Sequence, residues 1–128
     1  MNEEQFRRGI EEFNRGLFFE CHDTLEDLWM ETVGTDRLFL QGLIQVSVGF
    51  YHLFNENFRG AASQFSRGLG KLEKYRPSHR GIELNCFTEE VGRWLTVAKH
   101  GLGVSGLRWM KRMCRSLYLI TDKIEGEK

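Results

Sequence analysis

His22 and Glu26 stand four residues apart, one turn of a helix, so an imidazole and a carboxylate fall within side-chain reach of each other. Such a pair can pass a proton or offer two ligands to a divalent metal. His22 shares its helical line with Phe18, Leu25 and Trp29, at i, i+4, i+7 and i+11, and Glu26 borders that line. A second line, Gln41, Gln45, Val48 and His52, repeats the spacing on a stretch that is otherwise apolar. Polar groups on a buried face must find partners, because each one left unpaired costs about 1–3 kcal/mol. Three chemistries fit these residues. One is a hydrogen-bonded network that fixes how two helices pair. The second is a divalent-metal site of His22, Glu26 and His52, with coordination positions left open for water or substrate. The third is a pocket for a small polar ligand, closed by Trp29 and Tyr51.

The elements that must position these groups are helices. Phe6, Ile10 and Phe13 mark a first helix over 3–14, and Asn14-Arg15-Gly16 stops it. A second helix runs from Leu17 to about Thr32. Gly34-Thr35-Asp36 forms the turn, with Thr35 or Asp36 as the cap of a third helix, 36–55. Asn57 can cap a fourth, from Phe58 to Tyr75, with Ala61, Phe65, Leu69 and Leu72 inward, and Pro77 ends it. Residues 77–85 read as a loop that leaves His79 solvated. A fifth helix covers Phe87 to Lys99. Short turns make consecutive helices antiparallel neighbours, which would set His22 and Glu26 against Gln41, Gln45 or His52. A sixth helix is expected over 105–123, with Leu107, Met110, Cys114 and Leu117 on one stripe and a basic face of Arg108, Lys111, Arg112 and Arg115; the alternative for Leu117 to Thr121 is a short strand, since that apolar run is too short to decide.

Length and composition narrow the classes. One domain fits 128 residues, and 41% hydrophobic with 28% charged residues is a globular balance. A net charge of zero argues against nucleic acid as the main partner. The sum hides an asymmetry. Residues 1–64 are acidic and residues 65–128 basic, so the halves could attract each other within one molecule or between two in an antiparallel dimer. Leu38 to Asn55 holds no formal charge, but Gln41, Gln45, Ser47, His52 and Asn55 make it too polar for a membrane span and mark it as a central buried helix. Cys21, Cys86 and Cys114 form no C-x-x-C pair and read as reduced cytosolic thiols. No secretory leader begins Met1-Asn2-Glu3-Glu4. Gly42, Gly49 and Gly68, inside apolar stretches, suit close helix–helix approach.

The run from Phe13 to Trp29, with Glu20-x-His22-x-x-x-Glu26-x-x-Trp29 at its centre, is followed by Gly42-Leu43-Ile44-Gln45, Tyr51-His52-Leu53 and Asn57-x-x-Gly60-Ala61. Over roughly residues 6–95 this pattern resembles the domain-of-unknown-function 309 family, small helical proteins of bacteria, archaea and plastids. The family pattern usually has Glu after the histidine, where this chain has Asp23. The resemblance implies a compact all-α bundle with no assigned activity, and it implies that Glu20, His22, Glu26, Trp29, Gln41, Gln45 and His52 belong together.

The expectation is therefore an all-α, single-domain bundle of five to six helices with a buried central helix near 36–55. Residues 1–100 form its core, and residues 101–128 a helical extension packed on the same domain. Its function is unassigned: a cytoplasmic structural or binding module with a buried polar seam of Glu20, His22, Glu26, Trp29, Gln41, Gln45 and His52. The alternative is a metal-dependent or acid/base enzyme using His22, Glu26 and His52. Partners expected are a protein or small molecule, or a second copy, and neither nucleic acid nor membrane.

Overall fold

The chain enters its first helix, α1 (Glu3–Asn14), at Asn2, whose side chain accepts from Gln5 N at 3.1 Å. The computed structural model describes residues 1–101. The expected sixth helix and its basic face lie outside them. Phe6, Ile10 and Phe13 are buried, as their spacing requires, and Gly16 turns the chain in the left-handed region at φ 79°. α2 (Phe18–Glu31) and α3 (Thr35–Phe54) follow. α3 starts at Gly34 without a side-chain cap, so Thr35 and Asp36 sit inside its first turn instead of capping it. α4 (Phe58–Leu72) is capped by Asn57, whose Oδ1 accepts from Gly60 N at 3.0 Å.

After α4 the expected loop is more ordered than its composition suggests. A 3-10 turn (Glu73–Tyr75) leads into a two-residue hairpin, β1 (Ser78–His79) paired antiparallel with β2 (Ile82–Glu83). Ile82 and Leu84 are fully buried, and Leu84 N donates to Pro77 O at 3.0 Å. Apolar anchoring therefore holds the loop and starts α5 (Leu84–His100) three residues early.

Five helices thus make up the all-α bundle of the described residues, and α3 is central. It packs on α2 on one side and most extensively on α4 on the other. Its centre is aromatic. Phe50 stacks on Phe18 at 4.9 Å and meets Phe65 at 4.8 Å and Trp94 at 5.7 Å edge-on. The α3–α4 contact depends on absent side chains. A Cβ on Gly68 would lie 2.8 Å from Gly42 O, a rigid backbone atom. No helix among the described residues is long and apolar enough to cross a membrane.

Candidate functional site

α2 turns Phe18, Cys21, Thr24, Leu25 and Leu28 into the core. Cys21 is fully enclosed, and burial, with Glu12 adding to it, holds its thiol well above the ordinary range, so it is core and not a nucleophile. The opposite side of α2 carries two parallel lines. One is acidic: Glu20, Asp23, Asp27 and Glu31 are all exposed. The other is Phe19, His22, Glu26 and Met30, continued by Val33 in the turn that follows. Phe19 is 53% exposed and Tyr51, reaching over from α3, is 42% exposed, with ring centroids 5.7 Å apart. Met30 and Val33 are exposed at the far end. Two large aromatics therefore lie side by side at the surface, in line with further exposed apolar side chains.

His22 sits in the middle of that line. Its Nε2 is 3.2 Å from Glu26 Oε2 and its Nδ1 is 3.5 Å from Asp23 Oδ1. The side chains of His22 and Glu26 are 27% and 50% exposed. The expected pair therefore exists, but at the surface, which corrects the buried seam. The second polar line faces the other way. Gln45 Oε1 accepts from Lys71 Nζ of α4 at 2.9 Å, half-buried Gln41 lies one turn earlier, and His52 Nδ1 is 3.4 Å from Asn57 Nδ2 at the α4 cap. Neighbouring residues at the end of α3 thus diverge, Tyr51 to α2 and His52 to α4. Among the described residues no three His, Cys, Asp or Glu side chains converge to hold a metal ion. His22, Glu26 and His52 accordingly do not fit as a metal set.

The remaining expected residues are placed as follows. Glu20 is exposed in the first turn of α2, where a carboxylate is electrostatically favoured. Trp29 is half-buried at the α2–α3 turn. The Arg37 guanidinium lies 3.8 Å from its ring centroid and donates from Nη1 to Trp29 O at 2.9 Å and Thr32 O at 3.0 Å.

A separate cluster has no counterpart in the sequence reading. Asp36, in the first turn of α3, receives His79 Nε2 at 2.7 Å and Arg80 Nη2 at 2.6 Å, and Arg80 Nη1 reaches both Glu3 carboxylate oxygens at 2.8 and 2.9 Å. His79 lies edge-on to Phe39 and against Tyr75, whose hydroxyl donates to Thr35 O. This corrects the solvated loop histidine. Arg80, chiefly by its hydrogen bond to Asp36, holds that carboxyl down at about 2. These polar contacts join α1, α3, the 3-10 turn and the hairpin to one another, which is the geometry of a tie. Asp36 near a helix start was the one available sequence signal, and its partners 43 and 44 residues away carried none. For the exposed line, the signal was Phe19, Met30 and Val33 lying off the buried stripe of an acidic helix.

Fold and surface together define a small helical-bundle protein whose second helix, among the described residues, carries an exposed aromatic and acidic face. Residues 6–64 match the model of the family described as Domain of unknown function (DUF309), the family its motifs resemble. That match holds α1 to the start of α4, so Phe19, His22, Glu26, Met30 and Tyr51 all lie inside it. Over 67 residues the chain is 33% identical to the uncharacterized protein YpuF of Bacillus subtilis (strain 168), covering 52% of this chain and 37% of that protein. The shared stretch thus spans well under half of that relative's length. Neither description names an activity.

Proposed function

We propose that this protein is a binding module whose recognition surface is the exposed line of α2 with Tyr51, and that it takes a basic amphipathic helix from a protein partner. The single observation that carries this is the Phe19–Tyr51 pair, exposed at 5.7 Å beside the acidic row Glu20, Asp23, Asp27 and Glu31. Aromatic side chains supply the anchors of helix-in-groove recognition, and the flanking carboxylates select a basic partner. The same row repels phosphate, which disfavours nucleic acid and anionic lipid surfaces as ligands. A cytoplasmic setting fits the free thiols of Cys21 and Cys86.

The test is fluorescence anisotropy of a synthetic helix with leucines at heptad spacing and lysines elsewhere, titrated with the full-length protein. Binding should weaken about tenfold in Phe19→Ala, as expected for loss of an aromatic anchor, and should fall with salt. A matched leucine and glutamate peptide should not bind. Equal binding of both peptides, or no effect of Phe19→Ala, would rule the surface out.

A further inference from the structure

Resting on the reading of α2 as a recognition face, we infer that the basic helix it takes is α4 of a second copy of this chain, in a two-fold dimer where each α4 lies on the other copy's α2. The three middle helices form a layer. Gly42 and Gly49 of α3 approach Leu72 and Phe65 of α4, whereas Tyr51 of α3 meets Phe19 of α2. Gly49 and Tyr51 lie about 200° apart around their helix, so α4 and α2 flank α3 on opposite sides. Within one copy, therefore, the acidic edge of the layer cannot touch the basic edge.

That basic edge is α4. Arg67 and Lys74 are exposed and Lys71 is half-buried, and among the described residues none of the three meets a carboxylate. On α2, exposed Asp27 and Glu31 likewise meet no cation among the described residues, and Asp23 touches the His22 ring.

The two charged rows match in level. α2 runs antiparallel to α3, since Phe18 stacks on Phe54 and Trp29 lies under Arg37. α4 is antiparallel to α3 too, since Phe65 meets Gly49 and Leu72 meets Gly42. α2 and α4 therefore point the same way. Phe19 is level with Tyr51, two residues beyond Gly49, which brings it level with Ser63, two residues before Phe65. Counting on from Phe19 and Ser63 together, Asp23 comes level with Arg67, Asp27 with Lys71 and Met30 with Lys74.

Charge then selects the symmetry axis. A two-fold axis parallel to the helices lays α2 on the second copy's α4 and preserves every level. Asp23 then faces Arg67 and Asp27 faces Lys71, twice over, and exposed Ser63 leaves room for Phe19. An axis across the helices would lay acidic α2 on acidic α2, which like charge disfavours.

The experiment compares two charge-reversed full-length variants, Asp23→Lys/Asp27→Lys and Arg67→Glu/Lys71→Glu, by sedimentation. Wild type should be a dimer. Each variant alone sets like charges at both contacts and should self-associate at least about tenfold more weakly, with helical circular dichroism retained. An equal mixture of the two should recover the dimer, because the facing edges are again opposite in charge. A monomeric wild type, a variant that dimerises as well as wild type, or a mixture that stays monomeric overturns the pairing. The leucine and lysine peptide separates this inference from the surface it rests on. A monomeric wild type that binds the peptide loses the dimer and keeps the surface, and one that does not bind it loses both. If a variant fails to fold, replacing exposed Met30 with the photo-crosslinker benzoylphenylalanine remains decisive. In an equal mixture of isotope-labelled and unlabelled protein, adducts between chains should map to residues 71–75. Adducts elsewhere, or confined to one chain, overturn the pairing.

Discussion

His79 and Asp36, 43 residues apart in the chain, meet at 2.7 Å, and Arg80 closes on the other oxygen of the same carboxylate at 2.6 Å. With Glu3 on the far side of Arg80, the hairpin is tied to the starts of both α1 and α3. The tie is only partly exposed, so its charges are less screened than those of ordinary surface pairs.

The first prediction follows from Asp36. Its folded pKa of about 2 lies below the ordinary 3.8, chiefly because of Arg80. The carboxylate therefore stabilises the fold above the unfolded value, and that contribution is lost as pH falls from about 4 toward 2. Solvent screening at this partly open site leaves about 1 kcal/mol of that contribution near neutral pH. Urea unfolding as a function of pH should show the loss in wild type, and Asp36→Asn should be less stable at neutral pH and flatter in that window. Parallel curves for the two proteins would remove Asp36 from the account.

The second concerns Gly68. Alanine gains about 1 kcal/mol of helix propensity over glycine. Its Cβ would be forced against Gly42 O and the Val46 backbone and side chain, and overpacking of this kind costs about 1–3 kcal/mol. Gly68→Ala should therefore destabilise, while Gly70→Ala, with open space around it, should be neutral or stabilising. Denaturant midpoints of the two variants test the opposite signs.

The third concerns the α2–α3 turn. Arg37 covers one face of Trp29 and donates to two carbonyls at the end of α2. Arg37→Ala should cost about 1–2 kcal/mol and raise the accessibility of Trp29 to a fluorescence quencher, while the buried Trp94 stays protected. Arg37→Lys should restore little, because an ammonium cannot stack on the ring and donate twice in a fixed plane.

Helical periodicity made the elements legible. Phe6, Ile10 and Phe13, then Ala61, Phe65 and Leu72, are buried where their spacing puts them. Gly42, Gly49 and Gly68 do sit where neighbouring side chains or backbone approach closely. Periodicity also found the Gln41–Gln45–His52 line, but it gives a direction around one helix and not the neighbour that lies there. α3 is flanked by both α2 and α4, and Lys71 and Asn57 of α4 receive that line. Trp29 was legible as part of a face and not as its edge, where Arg37 replaces core packing. The hairpin tie was illegible because a two-residue strand has no period and because charge pairing across 43 to 77 residues follows the finished topology.

The last prediction separates stability from recognition on α2. His22 and Glu26 form a partly exposed pair, and pairs of that kind contribute about 0–1 kcal/mol. A buried seam would instead make His22→Ala cost about 1–3 kcal/mol, because unsatisfied partners would be left in the core. The surface position predicts a change in unfolding free energy of less than about 1 kcal/mol for His22→Ala. Phe19→Ala removes a side chain that is half in water, so its cost should also be small. Both variants should nevertheless weaken capture of the leucine and lysine helix, Phe19→Ala more than His22→Ala, because Phe19 and Tyr51 form the anchor and His22 only continues the line. Chemical denaturation and anisotropy on the same preparations measure the two effects separately. A large stability loss in His22→Ala with unchanged peptide affinity would return His22 to the core and remove it from the recognition surface.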